Sequence, residues 1–324
     1  MEFYTNVTRY GNTLLYRGIQ NGRRSTKRIK YKPRLYVTTN RPTEWKSLTG
    51  NPLGEIEFES MRDAKEWINE KRHVAGIDIH GQIRYVSAFI NDMFPGKIQF
   101  DRNQINVTTI DIEVQSDDGF PEPDAAAYPI TAICLKNNID NTYYVWGCGD
   151  YDVEKSLMKT NRVVYKKFEN ESLLLHDFLA HWSKESNTPD ILTGWNVRFF
   201  DLPYIINRIK RILGEDQIYK LSPWGTSLKS HAFEDDRPSS RFTGREQAGY
   251  RIKGISVLDY LELFQKFGYT YGPQETYKLD HIANVVLGEK KLSYDEYHNP
   301  VSYTHLRANE TLRYLVCRLL LEKK

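Results

Sequence analysis

Apolar and polar positions follow two different periods along the chain, and the period changes near residue 105. In the first 105 residues, short β-branched and aromatic runs alternate with polar positions, a pattern typical of strands. We expect strands over residues 7–16 and 28–38, joined through the strong turn signal Gln20-Asn21-Gly22. One helix is expected over residues 60–71, because Ser60 can cap it and apolar positions then recur at helical spacing.

From about residue 106, strand-like runs alternate with amphipathic helical segments. We expect strands over residues 105–114, 128–135, 141–146, 163–168, 190–195 and 255–260. We expect helices over residues 170–182, 203–214, 261–267 and 277–287, with Arg208, Lys210 and Arg211 on the outer face of the second. This order predicts an α/β or α+β domain built on a mixed sheet, following a smaller strand-rich domain.

Composition excludes several classes of protein. With 40% hydrophobic and 27% charged residues, the chain has the material for a packed core and is not disordered. No apolar run reaches the ~18 residues of a transmembrane helix, and the N-terminus lacks a signal-peptide layout. The three cysteines are far apart with no Cys-x-x-Cys, so we expect neither a disulfide framework nor a structural zinc site, and a cytoplasmic location.

Net charge by itself does not indicate a partner. The total is +3, but the last 24 residues hold five basic and two acidic residues, so the remainder is neutral. Residues 17–34 do hold eight basic residues and no acidic one. Two interpretations of this stretch stay open: a solvated strand that resists aggregation, or a surface that follows nucleic-acid phosphates.

One strand carries two acidic residues among β-branched neighbours. Asp111 and Glu113 are two positions apart within residues 105–114, so a strand places both on one face. Like charges side by side on a half-buried strand are destabilising unless a cation lies between them, and hard divalent cations prefer carboxylate oxygens. The alternative is an exposed polar strand face.

A third acidic residue of interest, Asp201, follows a buried strand and precedes a helix with Pro203 in its first turn. Taken alone, this position predicts a helix N-cap. Asn196, five residues earlier, is by itself typical of a turn.

Together, an Asp-x-Glu strand and, some ninety residues later, Asn-x-x-x-Phe-Asp resemble the proofreading exonuclease domain of family B DNA polymerases. Six further segments resemble the same family. They are Phe168-x-Asn-Glu-x-x-Leu-Leu, Pro189-Asp-Ile-Leu-Thr-Gly-Trp-Asn, Phe200-Asp-Leu-Pro-Tyr-Ile-x-Asn-Arg, Ile212-Leu-Gly, Gly254-Ile-Ser-Val-Leu-Asp-Tyr-Leu and Tyr277-Lys-Leu-Asp-His-Ile-Ala. Upstream, Phe58-x-Ser-Met-x-Asp-Ala and Asp101-Arg resemble the replicative polymerases of T-even-type bacteriophages. The resemblance extends to about residue 298 and implies a ribonuclease H-like fold and a DEDD-type 3′→5′ exonuclease.

The resemblance also implies roles for individual residues at a metal site. Asp111 and Glu113 match the first exonuclease motif and would hold the catalytic metals, two Mg²⁺ or Mn²⁺ ions. Asp201 matches the second motif and would support the second metal. All three are the implied catalytic residues, and we expect them to converge in the fold.

DNA contacts are implied at the same site. Asn196 would contact the DNA end, and the aromatic Phe120 would stack on the single strand, with Phe200 nearby. The long polar excursion over residues 222–251 falls where such polymerases carry a β-hairpin. Its cations would meet phosphate there, although a merely solvated loop is the alternative; they are Lys229, Arg237, Arg241 and Arg245.

The sequence departs from the family at its third exonuclease motif, Tyr-x-x-x-Asp. No tyrosine of this chain is followed by Asp four positions later. Residues 300–324 resemble translated sequencing adapter, so we expect them to be non-native and not to pack into the exonuclease sheet. The alternative is a genuine basic amphipathic helix.

The polymerase sequences Ser-Leu-Tyr-Pro-Ser and Asp-Thr-Asp are also absent. We therefore expect an N-terminal domain (residues 1–105) and an incomplete exonuclease domain (residues 106–299) of a phage DNA polymerase. Its expected partners are a single-stranded 3′ end or primer–template DNA, the rest of the polymerase chain and a sliding clamp. The alternative function is a nucleic-acid-binding module of exonuclease fold with little or no turnover.

Overall fold

The computed structural model describes residues 2–81, 84–115, 120–151, 162–225, 233–236 and 249–288. The chain divides into two compact units, Met1–Arg102 and Asn103–Lys324. Each unit has a hydrophobic core of its own. No helix in the part of the chain that the structure describes is long and apolar enough to cross a membrane.

In the residues that the structure describes, the first unit contains two small sheets and two helices. Its three-stranded antiparallel sheet has the order β1-β2-β3, formed by β1 (Phe3–Tyr10), β2 (Thr13–Gln20) and β3 (Arg23–Ile29). Its four-stranded sheet has the order β5-β6-β4-β7, formed by β4 (Arg34–Thr38), β5 (Trp45–Lys46), β6 (Pro52–Glu57) and β7 (Ile79–His80). The helices are α1 (Met61–Lys71) and α2 (Tyr85–Met93), and the core includes Leu14, Tyr16, Leu35, Met61 and Phe89.

Two expected strands of this unit are each interrupted. The strand expected over residues 7–16 ends at Tyr10, because Gly11 with φ 54° opens a two-residue turn into β2. The turn at Asn21 and Gly22 is confirmed, with φ values of 51° and 74°, but it joins β2 to β3. The strand expected over 28–38 is interrupted before β4, where Pro33 has no N–H for a strand ladder.

The second unit is built on a six-stranded mixed sheet of order β11-β10-β9-β8-β12-β15. Its strands are β8 (Val107–Val114), β9 (Ile130–Asn137), β10 (Thr142–Gly147), β11 (Arg162–Lys167), β12 (Ile191–Gly194) and β15 (Ser256–Asp259). β8, β12 and β15 run parallel to one another, and β9 is antiparallel to both β8 and β10. β13 (Phe233–Asp236) and β14 (Gly249–Ile252) form a separate antiparallel pair. The expected mixed α/β architecture is therefore present.

The helices of this unit are α3 (Glu171–Trp182), α4 (Asp201–Leu213), α5 (Tyr260–Phe267) and α6 (Leu279–Leu287). Short 3-10 segments occupy Arg102–Gln104, Glu215–Leu221 and Gly268–Tyr271. α3 begins as expected, because the Asn170 side chain accepts a hydrogen bond from the Leu173 N–H. α6 ends at Gly288, whose left-handed φ of 71° suits glycine. α3 and α4 supply much of the core, including Leu174, Phe178, Trp182, Tyr204, Ile205 and Ile209.

The expected orientation of Arg208 was wrong. Arg208 is buried, and its guanidinium forms a bidentate ion pair with Glu171 at the start of α3, with N···O distances of 2.6 and 2.7 Å. Its third nitrogen donates to the carbonyl oxygens of Ala126 and Ala127. Burial is tolerated because every nitrogen of the fork has an acceptor.

Candidate active site

β8 is an inner strand of the mixed sheet and carries two acidic residues on one face. Ile110 and Ile112 are buried on the opposite face, whereas Asp111 and Glu113 are partly exposed. The expected shared face of the two carboxylates is therefore confirmed, on a half-buried strand surface.

Asp201 is brought to this strand from α4. It is the first residue of the helix and is buried, and its Oδ1 accepts a hydrogen bond of 3.1 Å from the Ile112 N–H. That amide lies between Asp111 and Glu113. β12 pairs with β8 only as far as Thr109, so the edge beyond it needs another partner, which Asp201 supplies.

The N-cap interpretation of Asp201 was wrong. Phe200 occupies the cap position of α4 and makes no side-chain hydrogen bond there. The Asp201 carboxylate instead binds a strand amide far away in sequence. Its position at the start of α4 therefore reflects the route of the chain from β12 rather than a capping role.

Burial and a neighbouring carboxylate both affect the ionisation of Asp201. Burial raises the pKa of Asp201 well above its usual value, and the negative charge of Asp111 raises it further. The hydrogen bond from Ile112 acts in the opposite direction. A carboxylate that is destabilised by burial and by a second carboxylate is one that a nearby cation stabilises.

The donor chemistry of these three residues fits a hard divalent cation, which prefers carboxylate oxygens. Within the described ranges, however, the structure contains no group of three or more His, Cys, Asp or Glu side chains arranged to hold a metal ion. The structure thus brings Asp201 to the strand of Asp111 and Glu113 without closing a three-carboxylate cage.

A tight turn leads from the end of β12 to α4 and carries Asn196. Asn196 has a left-handed φ of 62°, and its carbonyl oxygen accepts from the N–H groups of Phe199 and Phe200. The turn begins against β8, because an added Cβ on Gly194 would lie 2.7 Å from the Ile110 carbonyl oxygen. This close approach holds the turn beside the acidic strand.

The sequence reasoning missed Asp259, which organises this turn. Its buried carboxylate accepts hydrogen bonds from the N–H groups of Asn196 and Arg198, each 3.0 Å long. It also caps α5 by accepting from the Leu261 N–H. The available signal was an Asp between a strand and a helix, which predicts only the cap.

The two aromatic residues expected to contact DNA lie together. The ring centroids of Phe120 and Phe200 are 5.1 Å apart, and Phe200 immediately precedes Asp201. Phe120 is 69% exposed, so its ring is accessible from solvent. An exposed aromatic ring next to an acidic site is suited to stacking on an unpaired base.

The loop that follows Phe120 is held by one face of α4. Side chains spaced by three and four residues along the helix hydrogen-bond to backbone groups of residues 123–128; they are Tyr204, Asn207, Arg208 and Arg211. The helix that carries Asp201 therefore also fixes the backbone of this loop. The polar positions shared a helical face in the sequence, but their partners could not be read from it.

The expected β-hairpin region contains a pair of strands. β13 and β14 are antiparallel, with Phe233 opposite Ile252. The four cations expected to meet phosphate lie outside the described residues; they are Lys229, Arg237, Arg241 and Arg245. Residues 300–324, expected not to pack into the sheet, also lie outside them.

Comparison with known proteins agrees with this arrangement of motifs. Residues 66–282 match the model of the exonuclease domain of DNA polymerase family B. The chain belongs to this family. The mixed sheet of the second unit agrees with the ribonuclease H-like fold of this exonuclease domain, and the family resemblance inferred from the motifs is confirmed.

Relatives of this family B chain include phage and cellular polymerases. It is 34% identical to the DNA-directed DNA polymerase of Escherichia phage RB69, over 97% of this chain and 35% of that protein. It is 32% identical to the DNA-directed DNA polymerase of Enterobacteria phage T4, over 91% of this chain and 34% of that protein. The DNA polymerase delta catalytic subunit of Schizosaccharomyces pombe is 27% identical over 58% of this chain. The chain spans about a third of the length of the two phage relatives.

Proposed function

We propose that this chain carries a 3′→5′ exonuclease site that removes terminal nucleotides from single-stranded 3′ ends of DNA. The observation that carries the proposal is the bond from Asp201 to the strand amide between Asp111 and Glu113. It joins the first and second exonuclease motifs of the family at one place on the sheet. In a polymerase this activity is proofreading, and its site of action would be the cytoplasm of a bacterial host.

The three carboxylates are proposed to hold Mg²⁺ or Mn²⁺. Their oxygen donors suit both ions. Burial, and after it the negative charge of Asp111, raise the pKa of Asp201, and a bound cation would offset both effects. Divalent ions at such a site activate water and stabilise a leaving 3′ oxygen.

The surrounding residues are proposed to bind the DNA end. Phe120 and Phe200 would stack on an unpaired base without regard to its identity, as proofreading requires. Asn196 would contact the terminal nucleotide, and the cations of the hairpin region would meet the phosphates. The larger assembly proposed is a polymerase chain, of which the first unit is the N-terminal domain and the second the exonuclease domain, working with a sliding clamp.

Release of mononucleotides from a 5′-labelled single-stranded oligonucleotide tests the proposal. We expect activity that depends on Mg²⁺ or Mn²⁺ and falls by roughly 10²–10³ in Asp111→Ala and in Asp201→Asn. Asp190→Asn is the matched control, because Asp190 is also buried and bound to a backbone amide but lies at the other end of β12. Equal activity in all four proteins would contradict the proposal.

A non-catalytic nucleic-acid-binding module is the second candidate. It is favoured by the absence of Tyr-x-x-x-Asp from the sequence, since that motif supplies a further carboxylate and a tyrosine in the family. If the exonuclease proposal is correct, this chain without the Tyr-x-x-x-Asp motif degrades DNA slowly. Replacing the residues after Asn299 with a helix carrying Tyr-x-x-x-Asp then restores hydrolysis. Binding of DNA with no hydrolysis in either protein would support the binding module.

A further inference from the structure

We infer that Asp259 is a positioning residue, which holds the turn that presents Asn196 to the DNA 3′ end. The inference rests on the proposed function, because it assigns a support to a residue proposed to bind DNA. It adds a residue outside the three acidic positions of the site. Asp259 acts through the backbone of Asn196 and does not itself contact the DNA.

Both oxygens of the Asp259 carboxylate accept hydrogen bonds from backbone N–H groups. Its Oδ1 accepts from the N–H groups of Asn196 and Leu261 at 3.0 and 2.9 Å, and its Oδ2 accepts from Arg198 at 3.0 Å. The residue is 1% exposed, so water does not compete for these bonds. Hydrogen bonds to a buried charged acceptor are among the stronger ones in proteins.

The backbone that Asp259 holds is one that needs support. A left-handed φ is costly for a residue with a Cβ, and Asn tolerates it better than most. Such a conformation persists only where surrounding contacts determine it. Here two N–H groups of the turn, on either side of Val197, are fixed by one carboxylate from β15.

The same turn continues directly into the acidic site. The Asn196 carbonyl oxygen accepts from Phe200, and the Val197 carbonyl oxygen accepts from Leu202, so the turn winds without interruption into α4. Asp201 lies in that first turn of α4. A change in the support of Asn196 therefore moves Asn196 relative to Asp201, where the 3′ end would be held.

Contacts of Arg198 and Trp195 also hold the turn in place, whereas the N–H of Asn196 is bound by Asp259. Arg198 forms an ion pair of 3.2 Å with Glu262, and Trp195 donates to the Tyr277 carbonyl oxygen. These contacts keep the turn near α5 and the residues before α6 if the Asp259 bonds are lost. We therefore expect Asp259 variants to loosen the Asn196 backbone while the fold remains.

Asp259→Asn is the first test, because an amide places an N–H₂ against backbone N–H groups. In the full chain we expect faster hydrogen exchange at the amides of Asn196 and Arg198. We also expect roughly tenfold weaker binding of a 5′-fluorescein oligothymidylate in EDTA, which prevents hydrolysis. Asp190→Asn is the matched control and should leave oligonucleotide binding unchanged, although it too replaces a buried carboxylate that binds a backbone amide.

A double-mutant cycle with Asn196→Gly separates positioning from general stability. Glycine keeps the left-handed backbone and removes the side chain. If Asp259 acts through Asn196, Asp259→Asn weakens DNA binding little further in the Asn196→Gly background. Should Asp259→Asn fail to fold, Asp259→Ser keeps an acceptor for the α5 cap and takes its place in the cycle.

The possible outcomes are distinct. A wild-type chain that does not bind the oligonucleotide overturns the proposed function. A wild type that binds, together with unchanged binding or fully additive losses in the Asp259 variants, overturns this inference alone. Unchanged hydrogen exchange at Asn196 and Arg198 also overturns it, whatever the DNA binding.

Discussion

At the scale of single residues, buried charged side chains bind backbone groups of the strand, turn and loop that surround the site. Asp201 binds an amide of β8, Asp259 binds the Asn196 turn, and Arg208 binds carbonyl groups of the loop after Phe120. Each of these charges is buried at a cost that its hydrogen bonds must offset. Removing one partner therefore leaves the other buried without its hydrogen bonds and lowers the free energy of unfolding.

Arg208→Met is expected to lower the free energy of unfolding by about 3–5 kcal/mol, because it leaves the Glu171 carboxylate buried without its cation. The measurement is urea denaturation followed by circular dichroism. Arg211→Met is the control on the same helix and should cost within about 0.5 kcal/mol, since its bond is exposed. Similar small losses in both variants would show that the ion pair contributes little.

Gly194→Ala tests the close approach of β12 to β8. The added Cβ would lie 2.7 Å from the Ile110 carbonyl oxygen and 3.1 Å from the Val197 Cβ. We expect about 1–3 kcal/mol of destabilisation by overpacking, together with weaker oligonucleotide binding as the Asn196 turn is displaced. Gly96→Ala meets open space and should change neither. Wild-type stability in Gly194→Ala would contradict the observed contact.

At the scale of elements, α3 and α4 connect the site to the sheet. α3 lies against β10 through aromatic contacts, with the His181 ring 4.6 Å from Tyr144 and 5.0 Å from Trp146. α4 begins at the acidic strand and binds the loop after Phe120 along one face. Their packing sets the distance between the proposed catalytic residues and the aromatic residues proposed to stack on DNA.

His181 in the last turn of α3 is expected to make stability fall in mild acid. Burial lowers its pKa from 6.5 to about 4, and Lys166 and Lys184 add to this effect, while Asp177 and Asp140 oppose it. The fold thus favours neutral His181, so its contribution is complete above pH 6.5 and is lost as the pH falls towards 4.

Thermal unfolding between about pH 7 and about pH 5 measures this contribution. His181→Gln cannot take up the proton, so its melting temperature should fall less over that range than that of the wild type. The carboxylates away from position 181 are common to both proteins, so the comparison removes their share. Parallel pH profiles for the two proteins would contradict the role of His181.

At the scale of the whole molecule, the two units have separate cores. Leu35 and Met61 belong to the core of the first unit, and Phe178 and Trp182 to that of the second. Cores that share no residues can lose their packing independently. The family model nevertheless covers parts of both units, residues 66–282.

Calorimetry is therefore expected to resolve two unfolding transitions. Leu35→Ala should lower the temperature of one, and Phe178→Ala that of the other, because each leaves a cavity costing about 2–5 kcal/mol in its own core. DNA binding, proposed for the second unit, should survive Leu35→Ala at temperatures below the first transition. A single transition shifted by both variants would show that the units unfold together.

The sequence by itself determined the family and several features of the local structure. The caps at Ser60 and Asn170 and the end of α6 at Gly288 were predicted, because capping depends on residues within a few positions. The shared face of Asp111 and Glu113 followed from the period of a strand. The ordered motifs identified family B DNA polymerase before any geometry was known.

The tertiary structure decided what the buried charges bind. Asp201 binds a strand 89 residues away, Asp259 a turn 63 residues away, and Arg208 a helix start 37 residues away. Local rules predicted a cap for Asp201 and an exposed surface for Arg208, and both predictions were wrong. The physical reason is that a buried charge is placed by the donors and acceptors left unpaired on distant elements, and no neighbouring residue reveals those.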